Sequence, residues 1–265
     1  MPPIADPSLI RAILEQDPSW AAYALGDLSP GFAEHCQWFV LEQAQPALLL
    51  LYQRFDPPVL FAMGPPGHLE HLIGEIDAPV ISLHVRRDAL AAIGARYGPA
   101  RVRAMWRMVL DPGSFRPVGT NLVSRLTPGD IAAITHLYAD GNRRGEAPDF
   151  FDRSMVERGI YRGVWEGEEL VSVAGTHMFV PSEGVCAVGN VYTRHDRRGQ
   201  GFGACVTSAV VSDVLKQGLP TVVLNVERRN MPAIRVYQRL GFRLYCDFAE
   251  GLARRRLTGL QPGHG

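Results

Sequence analysis

The alternation of short apolar runs with amphipathic stretches marks this chain as an α/β (α+β) protein. Two further observations support that class. A glycine-rich segment, residues 198–204, lies between a strand-like run and a helical one. Residues 82–98, SLHVRRDALAAIGARYG, also line up with residues 223–241, VLNVERRNMPAIRVYQRLG, when small gaps are allowed. In both, an apolar strand ends in a basic pair and passes into a helix carrying Ala-Ile. Such repetition predicts two copies of one supersecondary plan.

In chain order, residues 8–15 predict an amphipathic helix with Leu9, Ile10, Ile13 and Leu14 on one side. Asp17-Pro18 interrupts it, and residues 19–25 suit a second short helix. Strand-like runs follow at 35–41, 47–54 and 59–63, punctuated by Gln45-Pro46 and Asp56-Pro57-Pro58. The turn Gly64-Pro65-Pro66-Gly67 leads to a helix at 68–75, a strand at 80–85, a helix at 88–97 and a strand at 102–110. Asp111-Pro112-Gly113 and Arg116-Pro117 read as a linker, which predicts a domain at 1–115 and a second at 116–258.

The second domain opens with a strand at 122–126. Thr127 is placed as a helix N-cap, with Pro128 in the first helical position and Asp130 in the first turn. That helix is expected to end near Tyr138, before a polar loop at 140–148. A short helix at 149–159, a hairpin of 161–165 with 170–180, and a strand at 185–192 precede the glycine segment. A helix at 203–216, a strand and a second helix ending at Gly241 follow it. Residues 242–248 close the sheet, and residues 259–265 read as a disordered tail.

Composition narrows the function. Lysine plus arginine and aspartate plus glutamate stand at 27 each, so charge offers no argument for nucleic acid or an anionic membrane. The apolar run at 47–52 is far too short to span a bilayer, and the N-terminus carries no signal-peptide pattern. A cytoplasmic protein, monomer or homodimer, is expected. Cys36, Cys186, Cys205 and Cys246 form no CxxC and are expected as reduced thiols. His68-x-x-His71 lacks nearby further ligands, so it reads as helix surface and no metal is expected.

The chemistry concentrates in Arg198-Gly199-Gln200-Gly201-Phe202-Gly203-Ala204. Glycines allow a sharp turn and close approach of a ligand. The helix beginning there points free N–H groups and its positive dipole end at the loop, an arrangement suited to phosphate. Gly199, Gly201 and Ala204 fit the dinucleotide fingerprint, but the strand ends about six residues early and Thr221 stands where an acidic residue is needed. No Gly-Lys-Ser/Thr follows, so the P-loop pattern also fails.

Another pattern fits. Arg198-x-x-Gly201-x-Gly203 has the Q/R-x-x-G-x-G/A form of the GCN5-related N-acetyltransferases. Asn230-x-x-Ala233-x-x-x-Tyr237-x-x-x-Gly241-Phe242 resembles the second half of that family's signature. The resemblance covers residues 121–250. It implies the acyl-CoA N-acyltransferase fold, a mixed and mostly antiparallel sheet flanked by helices, here in two tandem copies. The first copy would be degenerate, since two prolines in its turn remove N–H donors. The two-domain plan is also similar to the glycine N-acyltransferase-like group.

The family binds acetyl-CoA and transfers its acetyl group to an amine. The resemblance implies pyrophosphate on the backbone of residues 198–204 and pantetheine along Val191, Tyr192 and Thr193. It also implies a cofactor contact at Asn230 beside Ala233, and Tyr237 as the acid that protonates the leaving thiolate. A phenol of ordinary pKa stays protonated at pH 7 and can do this; a packed core aromatic is the alternative reading. No cysteine stands where an acyl-enzyme would need one, so direct attack is expected. His177 is the candidate general base, with a hydrogen-bonded structural histidine as the alternative and Glu183, Glu227 and Tyr192 as weaker bases. Asn190 and Asn225, inside apolar strands, must find hydrogen bonds from strand edges or from ligand. The arginines of residues 140–146 suit an acceptor carboxylate or plain solvent. An acyl-CoA sensor with little turnover, and a transferase for longer acyl chains, are the competing functions.

Overall fold

The computed structural model describes residues 6–119 and 121–256, so the tail expected at 259–265 lies outside the described residues. In chain order the elements are α1 (Pro7–Leu14), α2 (Pro18–Gly26), β1 (Cys36–Leu41), β2 (Ala47–Tyr52), β3 (Val59–Met63), α3 (Pro66–Ile73), β4 (Val80–Arg86), α4 (Leu90–Gly94) and β5 (Tyr97–Leu110). Then come β6 (Val123–Arg125), α5 (Ile131–Asn142), α6 (Arg153–Arg158), β7 (Tyr161–Glu166), β8 (Glu169–Val180), β9 (Val185–Thr193), α7 (Phe202–Lys216), β10 (Thr221–Glu227), α8 (Met231–Leu240) and β11 (Phe242–Arg255).

These form two compact units. Among the described residues, one comprises 6–17, 30–105 and 247–256, and the other 18–29, 106–119 and 121–246. The units therefore divide the chain differently from a single cut near residue 115. Met108 and Leu110 belong to the core that also holds Val222 and Leu240, which carries the end of β5 into the second unit. The end of β11 pairs with β4, from Phe248↔Arg86 to Arg254↔Val80, which carries it into the first.

In the first unit, β1, β2 and β3 form an antiparallel meander, and α3 crosses over to place β4 parallel to β3. The whole of β2, ALLLLY, is buried, as a strand covered on both faces requires. Its core gathers Leu49, Leu60, Leu72, Ile81, Leu83 and Ile93. The helix expected at 88–97 shrinks to α4, because Tyr97 already belongs to β5, where its hydroxyl donates to the Ala78 carbonyl at 2.7 Å.

In the second unit, β6, β7, β8 and β9 are antiparallel, and the α7 crossover sets β10 parallel to β9. One face carries a core of Ile134, Leu137, Tyr138, Val156, Tyr161 and Val173, from α5, α6 and the strands. The other carries Val188, Val206, Val210, Leu224, Ile234 and Tyr237, from α7, α8 and the strands. Helix α2, with Trp20, Ala21, Ala24 and Leu25 buried, packs against β8, β9 and β10. Thr127 and Asp130 form a capping box, the Thr127 N–H donating to Asp130 Oδ2 at 2.7 Å. Helix α5 runs past the expected stop to Asn142, so Asp140 lies in its last turn and not in a loop. Gly141 permits this: a Cβ there would lie 2.9 Å from the Tyr192 ring.

Candidate active site

Strands β9 and β10 pair from Val185↔Thr221 to Val188↔Leu224. Beyond that point β9 continues to Thr193 and β10 to Glu227 with no further pair between them among the described residues. A gap opens there, and β9 bulges along it. The register steps from Val173↔Tyr192 to Gly175↔Gly189, three residues on β9 against two on β8. Asn190 takes a left-handed φ of 53° in this stretch. Its amide donates to Tyr161 Oη at 2.7 Å, and its carbonyl accepts from Tyr138 Oη at 2.6 Å. The buried Asn190 amide thus bonds protein and fixes the bulge. A compensating extra residue sits on β8 at His177, between Thr176↔Val188 and Met178↔Ala187.

The glycine loop follows β9. Gly199 and Gly201 have φ of 79° and 84°, and a Cβ on either would meet nothing within 4 Å. Gly201 is the residue before the first turn of α7, so the N–H groups that this turn leaves without intrahelical partners lie beside the open space at these glycines. Gln200 is exposed, Phe202 packs partly against the core, and Gly203 and Ala204 are half-buried in the first turn. Thr193, at the loop's entry, shares a 2.8 Å hydrogen bond with Ser172.

The basic run is committed to carboxylates. Arg194 pairs with Glu169 at 2.6 Å, Arg197 with Glu166 at 2.6 Å and Arg198 with Glu146 at 2.6 Å. Arg198 Nε also donates to the Thr193 carbonyl, and its guanidinium stands 5.6 Å from the Tyr192 ring centre. The hydrogen bond from Arg198 holds the Glu146 carboxyl below the usual carboxylate range. These partly exposed pairs contribute little stability each. They shape the loop and engage its arginine side chains.

Helix α8 borders the gap. Asn230 caps it, Oδ1 accepting from the Ala233 N–H at 3.2 Å, and the Asn230 NH2 makes no hydrogen bond among the described residues. Tyr237 is buried against Phe242, ring centroids 6.1 Å apart. Its hydroxyl has no hydrogen-bond partner among the described residues, and burial pushes its pKa up to about 12.

The opposite face of the gap is built from α2 and β5. Val222, Leu224 and Val226 point into the α7–α8 core, so Asn225 points away from it. Asn225 Oδ1 accepts from Arg107 Nε at 2.7 Å. Arg107 is wholly buried, donates to the Ser19 and Trp20 carbonyls at 3.0 and 3.1 Å, and lies 5.2 Å from both the Trp20 and Tyr23 ring centres. Tyr23 Oη is 3.1 Å from His177 Nδ1, and the Phe150 ring meets His177 edge-on at 6.2 Å.

The expected residues therefore gather around one gap, with Tyr237 on one face and His177 on the other. Glu227 is paired with Arg229 at 2.7 Å, and Tyr192 donates to Asp140 at 2.9 Å. Glu183 lies in the turn after β8, and His68 Nδ1 sits 2.9 Å from the Gln45 carbonyl, on the surface of α3. Tyr23 and Arg107 were missed by sequence reasoning. The available signal was a lone charge inside an apolar strand, Met105-Trp106-Arg107-Met108-Val109.

Comparison with known proteins agrees with this geometry. A family model described as FR47-like protein matches residues 159–250. The mycothiol acetyltransferase of Arthrobacter sp. strain FB24 is 28% identical over 182 residues, 60% of this chain and 55% of the relative. The chain thus spans about half the length of that relative. Among solved structures, a GCN5-related N-acetyltransferase from Kribbella flavida aligns with a TM-score of 0.62 at 19% identity, covering 92% of this chain and 96% of that one. A GNAT-family protein from Novosphingobium aromaticivorans aligns at 0.55 with 24% identity, covering 74% and 84%. With both signature motifs lying on one gap between parallel strands, the chain has the fold of the GCN5-related N-acetyltransferases and is similar to them in both motifs.

Proposed function

We propose that this chain transfers an acetyl group from acetyl-CoA to a primary amine by direct attack within a ternary complex. One observation carries the reading: an open glycine cradle at the start of α7 adjoins a strand gap bordered by a buried tyrosine with an unpartnered hydroxyl. The name shared by the curated relatives, an acetyltransferase, supports it.

The N–H groups of residues 198–204 hold the pyrophosphate. Val191 to Thr193 offer the strand edge that β10 leaves unpaired, and pantetheine adds to it. The Asn230 NH2 is available to the same arm. Tyr237 donates to the sulfur as the thiolate leaves. A phenol near 12 lies about 3.5 units above an ordinary thiol, so full transfer costs roughly 5 kcal/mol against a thiolate in water. Tyr237 therefore works as a hydrogen-bond donor to developing charge, and completes the transfer as the buried thiolate becomes more basic. On the other face, Tyr23 Oη stands at His177 Nδ1 and orients the ring, and the imidazole receives the amine proton. Asn225, with Oδ1 bound to Arg107, contributes a wall.

Titration calorimetry with CoA, followed by assay of free CoA released across a panel of primary amines, tests the proposal. Wild type should bind CoA and release it with at least one amine. Gly201→Asp should lose binding, since it puts a side chain at a left-handed φ and a negative charge beside the phosphates. Normal affinity in that variant would move the pocket elsewhere. Tight binding with no release from any amine would favour a sensor.

A further inference from the structure

We infer that the buried Arg107–Asn225 pair, anchored in α2, is a ruler that limits the acyl group to about the size of acetyl. The inference rests on the acetyl-CoA reading above. A thioester held in the β9–β10 gap, with its sulfur towards Tyr237, points its acyl end across the sheet to the opposite face. Asn225 is the first residue of β10 beyond the paired segment, and its side chain lies on that face. Behind it stands a guanidinium with no exposure to solvent, held by hydrogen bonds to Asn225 and to the Ser19 and Trp20 carbonyls and by the rings of Trp20 and Tyr23.

Such a wall does not yield. Swinging Asn225 aside strips a buried cation of its carbonyl partner, and moving Arg107 strips two backbone carbonyls of theirs. An apolar wall of leucine or methionine could repack around extra methylenes; one backed by a buried, hydrogen-bonded guanidinium cannot do so without stripping that charge of partners. Alongside, Gly189 has no room to open: a Cβ there would lie 2.9 Å from the His177 Cβ. A chain four methylenes longer than acetyl meets side chains that are fixed from behind.

The test is a binding series with CoA, acetyl-CoA, butyryl-CoA and hexanoyl-CoA, read by calorimetry on the full chain. Wild type should bind hexanoyl-CoA at least about 30-fold more weakly than acetyl-CoA, each methylene being able to cost tenfold or more in a tight pocket. Asn225→Ala should narrow that ratio to within about threefold, relieving the overpacking that the wall imposes. Arg107→Met combined with Asn225→Ala removes the buried charge together with its partner, and should narrow the ratio equally if the single variant does not fold. Equal affinity of wild type for acetyl- and hexanoyl-CoA would overturn the ruler while leaving the CoA site standing. So would a folded double variant that still discriminates. Failure of wild type to bind CoA itself would overturn the site, and the ruler with it.

Discussion

Tyr237 keeps its hydroxyl among apolar neighbours of the α7–α8 core, unbonded by other described residues. Removing that hydroxyl leaves the packing against Phe242 intact. Tyr237→Phe should therefore reduce CoA release by about 10²- to 10⁴-fold, the usual weight of a positioned proton donor, with CoA affinity changed only a few-fold. Steady-state kinetics beside calorimetry separates the two; unchanged turnover would remove the acid role. Asp27 makes a second prediction. Burial raises its pKa from 3.8 to about 8, so the fold favours the neutral acid. Its contribution to stability is complete below about pH 4 and is lost progressively as pH rises to about 8. Asp27→Asn should match wild type near pH 4 and exceed it at pH 8 by an amount on the order of a few kcal/mol, read by urea unfolding at both pH values. An Asn variant equally stable at both would mean that Asp27 is ionised in the fold.

At the scale of elements, the β9 bulge depends on one left-handed residue and three buried hydroxyl and amide groups. Asn190→Ala keeps a Cβ in a left-handed conformation that asparagine tolerates better than alanine, at a cost of up to roughly 1–2 kcal/mol, and removes the amide that donates to the Tyr161 hydroxyl. Asn190→Gly relieves the first cost but not the second. Denaturant unfolding should rank wild type above Gly and Gly above Ala; Ala equal to or above Gly would show that backbone strain does not govern the bulge. The glycine loop and the α8 signature were legible because both depend on local spacing: a helix start needs its glycines adjacent, and a helix face repeats every three or four residues. The bulge was not, since an asparagine in a strand announces its hydrogen bonds but not the sign of its φ. Neither was the pairing of α2 with β10, which joins residues 88 and 118 positions apart in sequence through one guanidinium. The expected ends of α5 and of the helix at 88–97 failed for a related reason. Gly141 looks like a stop until the neighbouring Tyr192 ring is in place, and Tyr97 looks helical until it joins a strand.

At the scale of the molecule, the order strand, helix, parallel strand, helix occurs once in each unit, as β3–α3–β4–α4 and as β9–α7–β10–α8. The two differ where phosphate would bind. Helix α3 starts at Pro66 after Pro65, whereas α7 starts after the left-handed Gly201. The linker that suggested a boundary near 115 is real as a turn but does not end a unit. A fragment beginning at residue 116 lacks Trp20, Arg107, Met108 and Leu110, all of them buried in the second unit. It should be poorly folded by near-ultraviolet circular dichroism and fail to bind CoA, whereas the full chain folds; a cooperative, CoA-binding fragment would show α2 and β5 to be dispensable.

The same interleaving governs what happens on the ribosome. Helix α2 is made before the strands that cover it in its own unit, which are complete only at residue 227, about two hundred residues later. At about 5–20 residues per second, that leaves the apolar face of Trp20, Ala21 and Leu25 waiting for roughly ten to forty seconds. The first unit cannot close until residues 247–256 are made. Neither unit can mature before these late segments are made, so nascent chains of this protein should depend on a holdase, and a ribosome that stalls short of residue 246 yields no half-active product.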